Sequence, residues 1–368
     1  MHKNYLVTGG AGFIGSNFVH FLLDKEPGAV IVNLDALTYA GSLENLKDLS
    51  SLKDSSGNER HIFIQGDICN RELVDTLLRK YQLLTIVHFA AETHVDRSII
   101  DPEKFIRTNI LGTFTLLESA RNYWLEELKE HTQNIDSFRF HHVSTDEVYG
   151  SLLLNEPAWT ESTPYAPNSP YAASKAASDH LVRSYGHTYG LPYSITNCSN
   201  NYGPYQFPEK LIPLTILYGL KGEPLPVYGD GQQVRDWLYV MDHCEAIFTV
   251  LENGRPGQTF NIGGEAQPSN LKVVETICEI LDELQPRSKN VPHKKLIQFV
   301  SDRPGHDRRY AMDIGKIWQE LGWKPSRSFE EGLVNTVNWY LQNPEWVEAI
   351  CHQQEYQHWI QKNYQQRS

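Results

Sequence analysis

Two adjacent carboxylates, Asp146 and Glu147, follow Ser144-Thr145 and precede a Tyr171–Lys175 pair. A tyrosine and a lysine four apart share one face of a helix. A tyrosine can take the proton of an alcohol during its oxidation. A neighbouring ammonium favours phenolate and is expected to lower the tyrosine pKa. Oxidation alone needs no further acid and base. Asp146 and Glu147 therefore point to a second reaction in the same pocket, with one carboxyl protonated and the other ionised. The bland alternatives are an exposed helix pair for Tyr171 and Lys175 and a solvated loop pair for the acids. Placement favours chemistry, because Thr145 ends an apolar run and open α/β sheets build their sites at strand C-termini.

A second constellation points to a dinucleotide. Gly9, Gly12 and Gly15 give a GxxGxxG spacing after the apolar Tyr5-Leu6-Val7-Thr8, and Phe13-Ile14 open the helical pattern that follows. Glycine allows a tight turn and lets backbone approach a pyrophosphate at a helix N-terminus. Asp35 ends the next apolar run about twenty residues past the last glycine, where an acid holds a ribose diol. An acid there disfavours a 2′-phosphate, so NAD is expected rather than NADP. Asp67-Ile68 suits an adenine contact, with a helix N-cap as the equal alternative for Asp67. Ala90-Ala91 offers small residues where a cofactor passes close.

The elements that must position these groups alternate. Strands are predicted near 5–8, 30–35, 62–64, 85–88 and 140–144, and helices over 13–24, 71–81 and 104–124. The last helix should bury a stripe of Phe105, Ile110, Phe114 and Leu117. Repeated βα units imply a Rossmann-type doubly wound parallel sheet with a smaller C-terminal α/β lobe. Beyond Pro192 the pattern loosens, with Pro and Gly clustered between Gly203 and Gly231. Helices are expected over 239–252, 270–284 and 329–341, the last with Phe329, Val334, Val337 and Trp339 apolar. Residues 258–262 read as a strand returning to the sheet. The domain reading is 1–197 with 234–263 for NAD, 198–233 with 264–350 for substrate, and a loose tail over 351–368.

The 368 residues suffice for one large or two smaller cores, and the net charge of −12 repels nucleic acid and anionic membranes. An anionic substrate would need a local basic pocket. Five dispersed cysteines without zinc spacing imply a reducing compartment and no metal site. With no signal-peptide pattern and no long apolar run, a cytoplasmic protein is expected.

Residues 90–98 (AAETHVDRS), Thr145-Asp146-Glu147, residues 197–204 (NCSNNYGP), Arg235-Asp236-Trp237 and residues 302–307 (DRPGHD) carry a family resemblance. From Lys3 to Trp346 the chain resembles the nucleotide-sugar 4,6-dehydratases of the extended short-chain dehydrogenase/reductase superfamily. The resemblance implies NAD as cofactor and adds Thr38, Thr108 and Asn201 to its site. It implies a nucleotide-sugar substrate, with dTDP-glucose expected ahead of UDP-glucose. Thr93, Thr145, Asn200, Lys210, Leu211, Val227, Tyr228, Arg235, Asn270, Arg303 and His306 would hold that substrate. Arg235 would reach the diphosphate, and Val227 and Tyr228 would flank the base. Thr93 stands where the bacterial pattern carries serine, which keeps a hydroxyl and adds a methyl. A homodimer is implied, packed through the 104–124 and 171–189 helices.

The implied reaction has three parts. Tyr171 takes the O4 proton as hydride leaves C4; Glu147 removes the C5 proton as Asp146 protonates the departing O6; hydride returns to C6. A 4-epimerase on the same scaffold would share Tyr171, Lys175 and Thr145 but would not need the acid pair. A non-catalytic NAD-sensing regulator would be expected to have lost part of this set.

Overall fold

The computed structural model describes residues 3–53, 56–128, 137–287, 291–302, 307–353 and 356–357. Its strands are β1 (Asn4–Thr8), β2 (Val30–Asp35), β3 (His61–Gln65), β4 (Thr85–His88), β5 (Arg139–Thr145), β6 (Tyr193–Cys198), β7 (Asn200–Tyr202), β8 (Leu225–Tyr228), β9 (Trp237–Tyr239), β10 (Gln258–Ile262) and β11 (Ile297–Val300). Seven form one parallel sheet in the order β10-β6-β5-β4-β1-β2-β3. Helices cover both faces, so the strands must be apolar on both. Leu6, Val32, Ile86, Phe140 and Ile195 pack one way against Leu78, Leu116, Trp124 and Val182. Tyr5, Val7, Ile31, Val87 and Val143 pack the other way against Phe18, Leu22 and Ile247.

The strand order reverses between β1 and β4. Chain leaving β1 turns to one side and chain leaving β4 to the other, so a crevice opens at their C-terminal ends. That crevice receives the glycine turn.

The helix expected over 104–124 is a continuous run with two π-type stretches: Pro102–Phe105, Ile106–Gly112, Thr113–Ala120 and Arg121–Glu127. Each π turn shifts the buried face, which is why the simple stripe fails. Phe105 and Leu117 are buried, but Phe114 is 41% exposed and Ile110 half-buried. Likewise, on the Phe329–Gln342 helix Val334 lies outward, while Phe329 and Val337 are core.

A second core joins Tyr202, Ile216, Trp237, Tyr239, Ile277, Leu333, Tyr340 and Trp346. Two of its helices start on side-chain caps: Ser269 Oγ accepts from Lys272 N, and Ser328 and Glu331 form a reciprocal box. One boundary differs from the sequence reading. β9 pairs with β7, outside the seven-stranded sheet, and Trp237 and Tyr239 pack into the second core, so the chain re-enters the NAD-side core later than residue 234. Of the described residues beyond Cys351, Tyr356 is buried with its ring 5.8 Å from that of Phe207; the rest of the stretch expected to be a poorly anchored helix or a loose tail lies largely outside the described residues.

Candidate active site

The crevice is a cavity of about 380 Å³. Gly9, Gly12, Phe13, Ile14, Gly15, Asp35, Thr38, Asp67, Ile68, Ala90, Ala91, Thr108, Tyr171, Lys175 and Asn201 all line it. The glycines have separate reasons. Gly9 has φ +73°, and a Cβ there would sit 2.6 Å from Ala90 N. A Cβ on Gly15 would lie 2.2 Å from Gly9 O. Gly12 is much less crowded than the other two; its Cβ would meet only Gly9 O, at 3.3 Å, a tight contact relieved by a shift of a few tenths of an ångström. The helix Phe13–Lys25 begins at Gly12 with no side-chain cap, leaving its first amides for an anion. Asp35 accepts from Ala11 N (2.9 Å) and Leu37 N (2.8 Å), which ties the turn to the ribose-side acid. Asp67 accepts from Cys69 N (2.8 Å) and faces Arg107 at 3.3 Å, while Asn70 caps the next helix. These residues fit a dinucleotide.

At the far end of the crevice Thr145 ends β5. Its Oγ1 accepts from Glu147 N (3.3 Å) and donates to Asp146 Oδ1 (3.2 Å), so the hydroxyl caps the short turn Asp146–Tyr149. Asp146 is 2% exposed. Burial, then the charges of Glu147 and Asp236, push its carboxyl well above the usual carboxylate range. Both effects favour the protonated form of Asp146.

Tyr171 and Lys175 project from the Pro170–Tyr189 helix, which Ser169 caps. Lys175 Nζ donates to Val143 O (2.8 Å). Its ammonium is pushed down to about 8 by burial, which Asp179 partly opposes. Tyr171 differs from expectation: burial, then Glu147, raise its phenol well above the ordinary value, and a hydrogen bond with Thr145 opposes this. Desolvation of a phenolate outweighs the stabilisation that the Thr145 hydrogen bond gives it.

Thr93, Asn200 and Lys210 also line the cavity, and Asn200 Oδ1 is buried without a hydrogen-bond partner. The remaining expected substrate residues lie elsewhere. Leu211, Val227, Tyr228, Arg235 and Asn270 are not among the residues that line the cavity, and neither are the two expected catalytic acids Asp146 and Glu147. Arg235 is buried, donating to the carbonyls of Val234 and Asp307 (both 2.8 Å) with its guanidinium 4.1 Å from the Tyr310 ring centre. Val227 is enclosed among Leu225, Val274 and Cys278, so its side chain serves the core. Tyr228 ends β8, Leu211 packs between two cores, and Asn270 opens its helix with its N–H on Gln233 O. Arg303 and His306 lie outside the described residues.

The cavity also includes Glu92, which lies within the 90–98 segment but is not singled out there, and Tyr39, Phe207 and Glu209, which no local motif marks. Tyr39 carries Arg97 over its ring at 3.8 Å, and its hydroxyl is 3.4 Å from Thr93 Oγ1. The buried Glu209 approaches His94 (3.4 Å) and Arg97 (3.7 Å). These groups come from three separate loops and meet only in the fold.

A doubly wound sheet with the glycine turn at its switch point, and a Tyr–Lys pair facing that turn, defines a dinucleotide-dependent enzyme of the extended short-chain dehydrogenase/reductase type. Residues 6–336 match the family model described as GDP-mannose 4,6 dehydratase. A dTDP-glucose 4,6-dehydratase of Xanthomonas campestris pv. campestris (strain B100) is 58% identical over 346 residues, covering 94% of this chain and 95% of that one. The chain therefore belongs to this dehydratase family, and within it to the dTDP-glucose 4,6-dehydratases. Among solved structures, the dTDP-glucose 4,6-dehydratase of Streptomyces venezuelae, with NAD bound, has a TM-score of 0.81 at 45% identity, covering 95% of this chain and 100% of that one. A UDP-glucose 4-epimerase of Thermotoga maritima shares the fold at TM-score 0.78 and 29% identity, covering 93% and 100%.

Proposed function

We propose that the protein converts dTDP-glucose to dTDP-4-keto-6-deoxyglucose with NAD, a hydro-lyase reaction with no net redox change. The observation that carries this reading is Asp146: a carboxyl 2% exposed directly beside Glu147, whose burial and acidic neighbours favour its neutral form, one residue from the Thr145–Tyr171 contact. A 4-epimerase has no use for a neutral acid there. A regulator without catalysis has no reason to bear the cost of burying it.

NAD, held by the glycine turn, Asp35 and the residues lining the crevice, would supply the hydride acceptor for C4 and the hydride donor for C6. Tyr171 takes the O4 proton, with Thr145 holding the same oxygen and Lys175 stabilising the phenolate. The 4-ketone acidifies C5–H, and Glu147 removes that proton. Asp146 gives its proton to O6, and water leaves. A proton returns to C5 as C6 is reduced. Lys210 and Asn200 suit the nucleotide diphosphate; the Arg235 charge acts on Asp146 against the raised carboxyl, and burial with Glu147 and Asp236 outweighs it. We assign the sugar nucleotide to the lobe of residues 198–239 and 264–350.

A homodimer is the assembly we infer. Ile99, Ile100, Ile106, Leu111 and Phe114 are 41–61% exposed along neighbouring helices, an apolar face that a second copy would cover. All five cysteines are unpaired and no described helix is long and apolar enough to cross a membrane. The cysteines support a cytoplasmic site of action.

The test is isotopic. dTDP-glucose deuterated at C4 should yield product deuterated at C6 with no net NADH. Label kept at C4, or lost to solvent, defeats the intramolecular transfer. Glu147→Gln should still oxidise C4 but stop exchange of the C5 proton; normal exchange removes Glu147 from its role. UDP-glucose assayed beside dTDP-glucose tests the choice of base.

A further inference from the structure

The helix that carries Tyr171 and Lys175 continues the same stripe with Asp179 and Arg183, each four residues further on. The reaction above uses only the first two. Asp179 is fully buried, and Lys175 is 4% exposed. Burying a carboxylate and an ammonium is costly unless each is matched.

Asp179 Oδ2 accepts from the Tyr165 hydroxyl (2.7 Å), Ser144 Oγ (2.9 Å) and Asn197 Nδ2 (3.3 Å). Together with His142 and Lys175 these groups outweigh burial and hold Asp179 ionised. Its other oxygen, Oδ1, faces His142 Nε2 at 3.2 Å. The same ring nitrogen lies 3.5 Å from Lys175 Nζ. The ammonium and the carboxylate therefore share one imidazole nitrogen. Burial, with help from Lys175, pushes that imidazole down to about 4, so it is neutral at working pH.

The groups facing Lys175 can be named element by element. Its own helix contributes Tyr171, Asp179 and Arg183; β5 contributes His142, β4 His88 and β6 Cys198; Asp146 and Glu147 follow beyond Thr145. His88 is held neutral by burial, and the Cys198 thiol is pushed up to about 12. Of the groups on the helix and strands, Asp179 alone carries a fixed negative charge.

We propose that Asp179 is a positioning residue for the dehydratase reaction: meeting Lys175 at the shared His142 Nε2, it keeps Lys175 an ammonium beside Tyr171 in a pocket that disfavours that charge. The proposal rests on the reaction assigned above. Asp179 never touches substrate or cofactor; its effect runs through Lys175.

The sign follows from burial. Lys175 is charged below its pKa of about 8 and loses its charge as pH rises through it. Without Asp179 the loss comes at lower pH. The experiment is the pH dependence of kcat for dTDP-glucose in the unmutated protein, Asp179→Asn and Asp179→Glu, with thermal melting and NAD titration on each. Asp179→Asn should move the alkaline limb toward acid by about one to three pH units, the range for an opposite charge at close approach. Its activity should recover as pH is lowered. Asp179→Glu, which keeps the charge, should restore most of the limb. A loss by the same factor at every pH would mean a merely structural role and overturns the proposal, as does an unmoved limb. If Asp179→Asn does not fold, Asp179→Ser takes the same measurement. Failure of both neutral variants to fold while Asp179→Glu folds assigns the carboxylate to folding alone and also overturns it. Absence of product from the unmutated protein counts against the reaction instead; product with a pH profile indifferent to Asp179 counts against the counter-ion.

Discussion

Replacing Asp146 by asparagine separates chemistry from stability. Asp146 is 2% exposed, accepts one bond from Thr145 Oγ1 at 3.2 Å, and leaves Oδ2 buried without a hydrogen-bond partner. Burial and then Glu147 and Asp236 raise its carboxyl well above the usual range. Asparagine has the shape of the neutral acid and lacks only the acidic proton. Loss of a general acid costs about 10²–10⁴-fold in rate. C4 oxidation survives, so enzyme-bound NADH should accumulate under substrate, visible in its near-ultraviolet absorbance. Stability should move the other way. A carboxyl whose folded pKa is raised is destabilising above its unfolded value, because the folded state resists ionisation. The penalty grows with pH until the folded value is passed. Asparagine carries no such penalty, so the variant's advantage should widen by about 1.4 kcal/mol per pH unit across that window. Turnover and denaturant melts over a pH series read both effects. Full turnover by Asp146→Asn would refute the acid role; a variant that loses ground to the unmutated protein as pH rises would refute the neutral buried carboxyl.

Two further outcomes follow from the glycine turn and the apolar face. Gly9→Ala places a Cβ 2.6 Å from Ala90 N at φ +73°, a combined cost of about 2–5 kcal/mol, so calorimetry should show a lower melting temperature and NAD binding at least about tenfold weaker. Gly12→Ala, whose Cβ meets nothing nearer than 3.3 Å, should weaken NAD binding while leaving the melting temperature nearly unchanged; equal behaviour of the two variants contradicts the cradle geometry. The double change Leu111→Asp with Phe114→Asp should halve the mass measured by light scattering and spare NAD binding, and a monomeric unmutated protein removes the interface.

Much of the scaffold is legible along the chain because its signals are local. Apolar runs of a few residues mark β1, β2, β4 and β5, and the helix Asn270–Leu284 has the bounds its periodicity suggests. The long helix is less legible. Its π turns rotate the buried face by a fraction of a turn, which no fixed 3.6-residue pattern reveals, so Phe114 reads as core and lies outside. β9 has no counterpart in the sequence reading, which starts a helix at Tyr239, because three residues carry too little periodicity to mark a strand.

The chemistry divides in the same way. Spacing along the chain suffices for the glycine turn, Asp35, the Thr145-Asp146-Glu147 triplet and the Tyr171–Lys175 pair, since each is a short-range pattern with a short-range reason. The protonation states needed the folded molecule. Sequence logic gives Tyr171 a lowered pKa from Lys175, whereas burial reverses the direction. Nothing local marks Asp179 as counter-ion, Arg235 as a neighbour of Asp146, or Tyr39, Thr93 and Glu209 as one wall of a cavity. Residue type and spacing specify which groups are available. Depth, dielectric and distance across the sheet determine which of them are charged, and those quantities exist only once the chain has closed around the crevice.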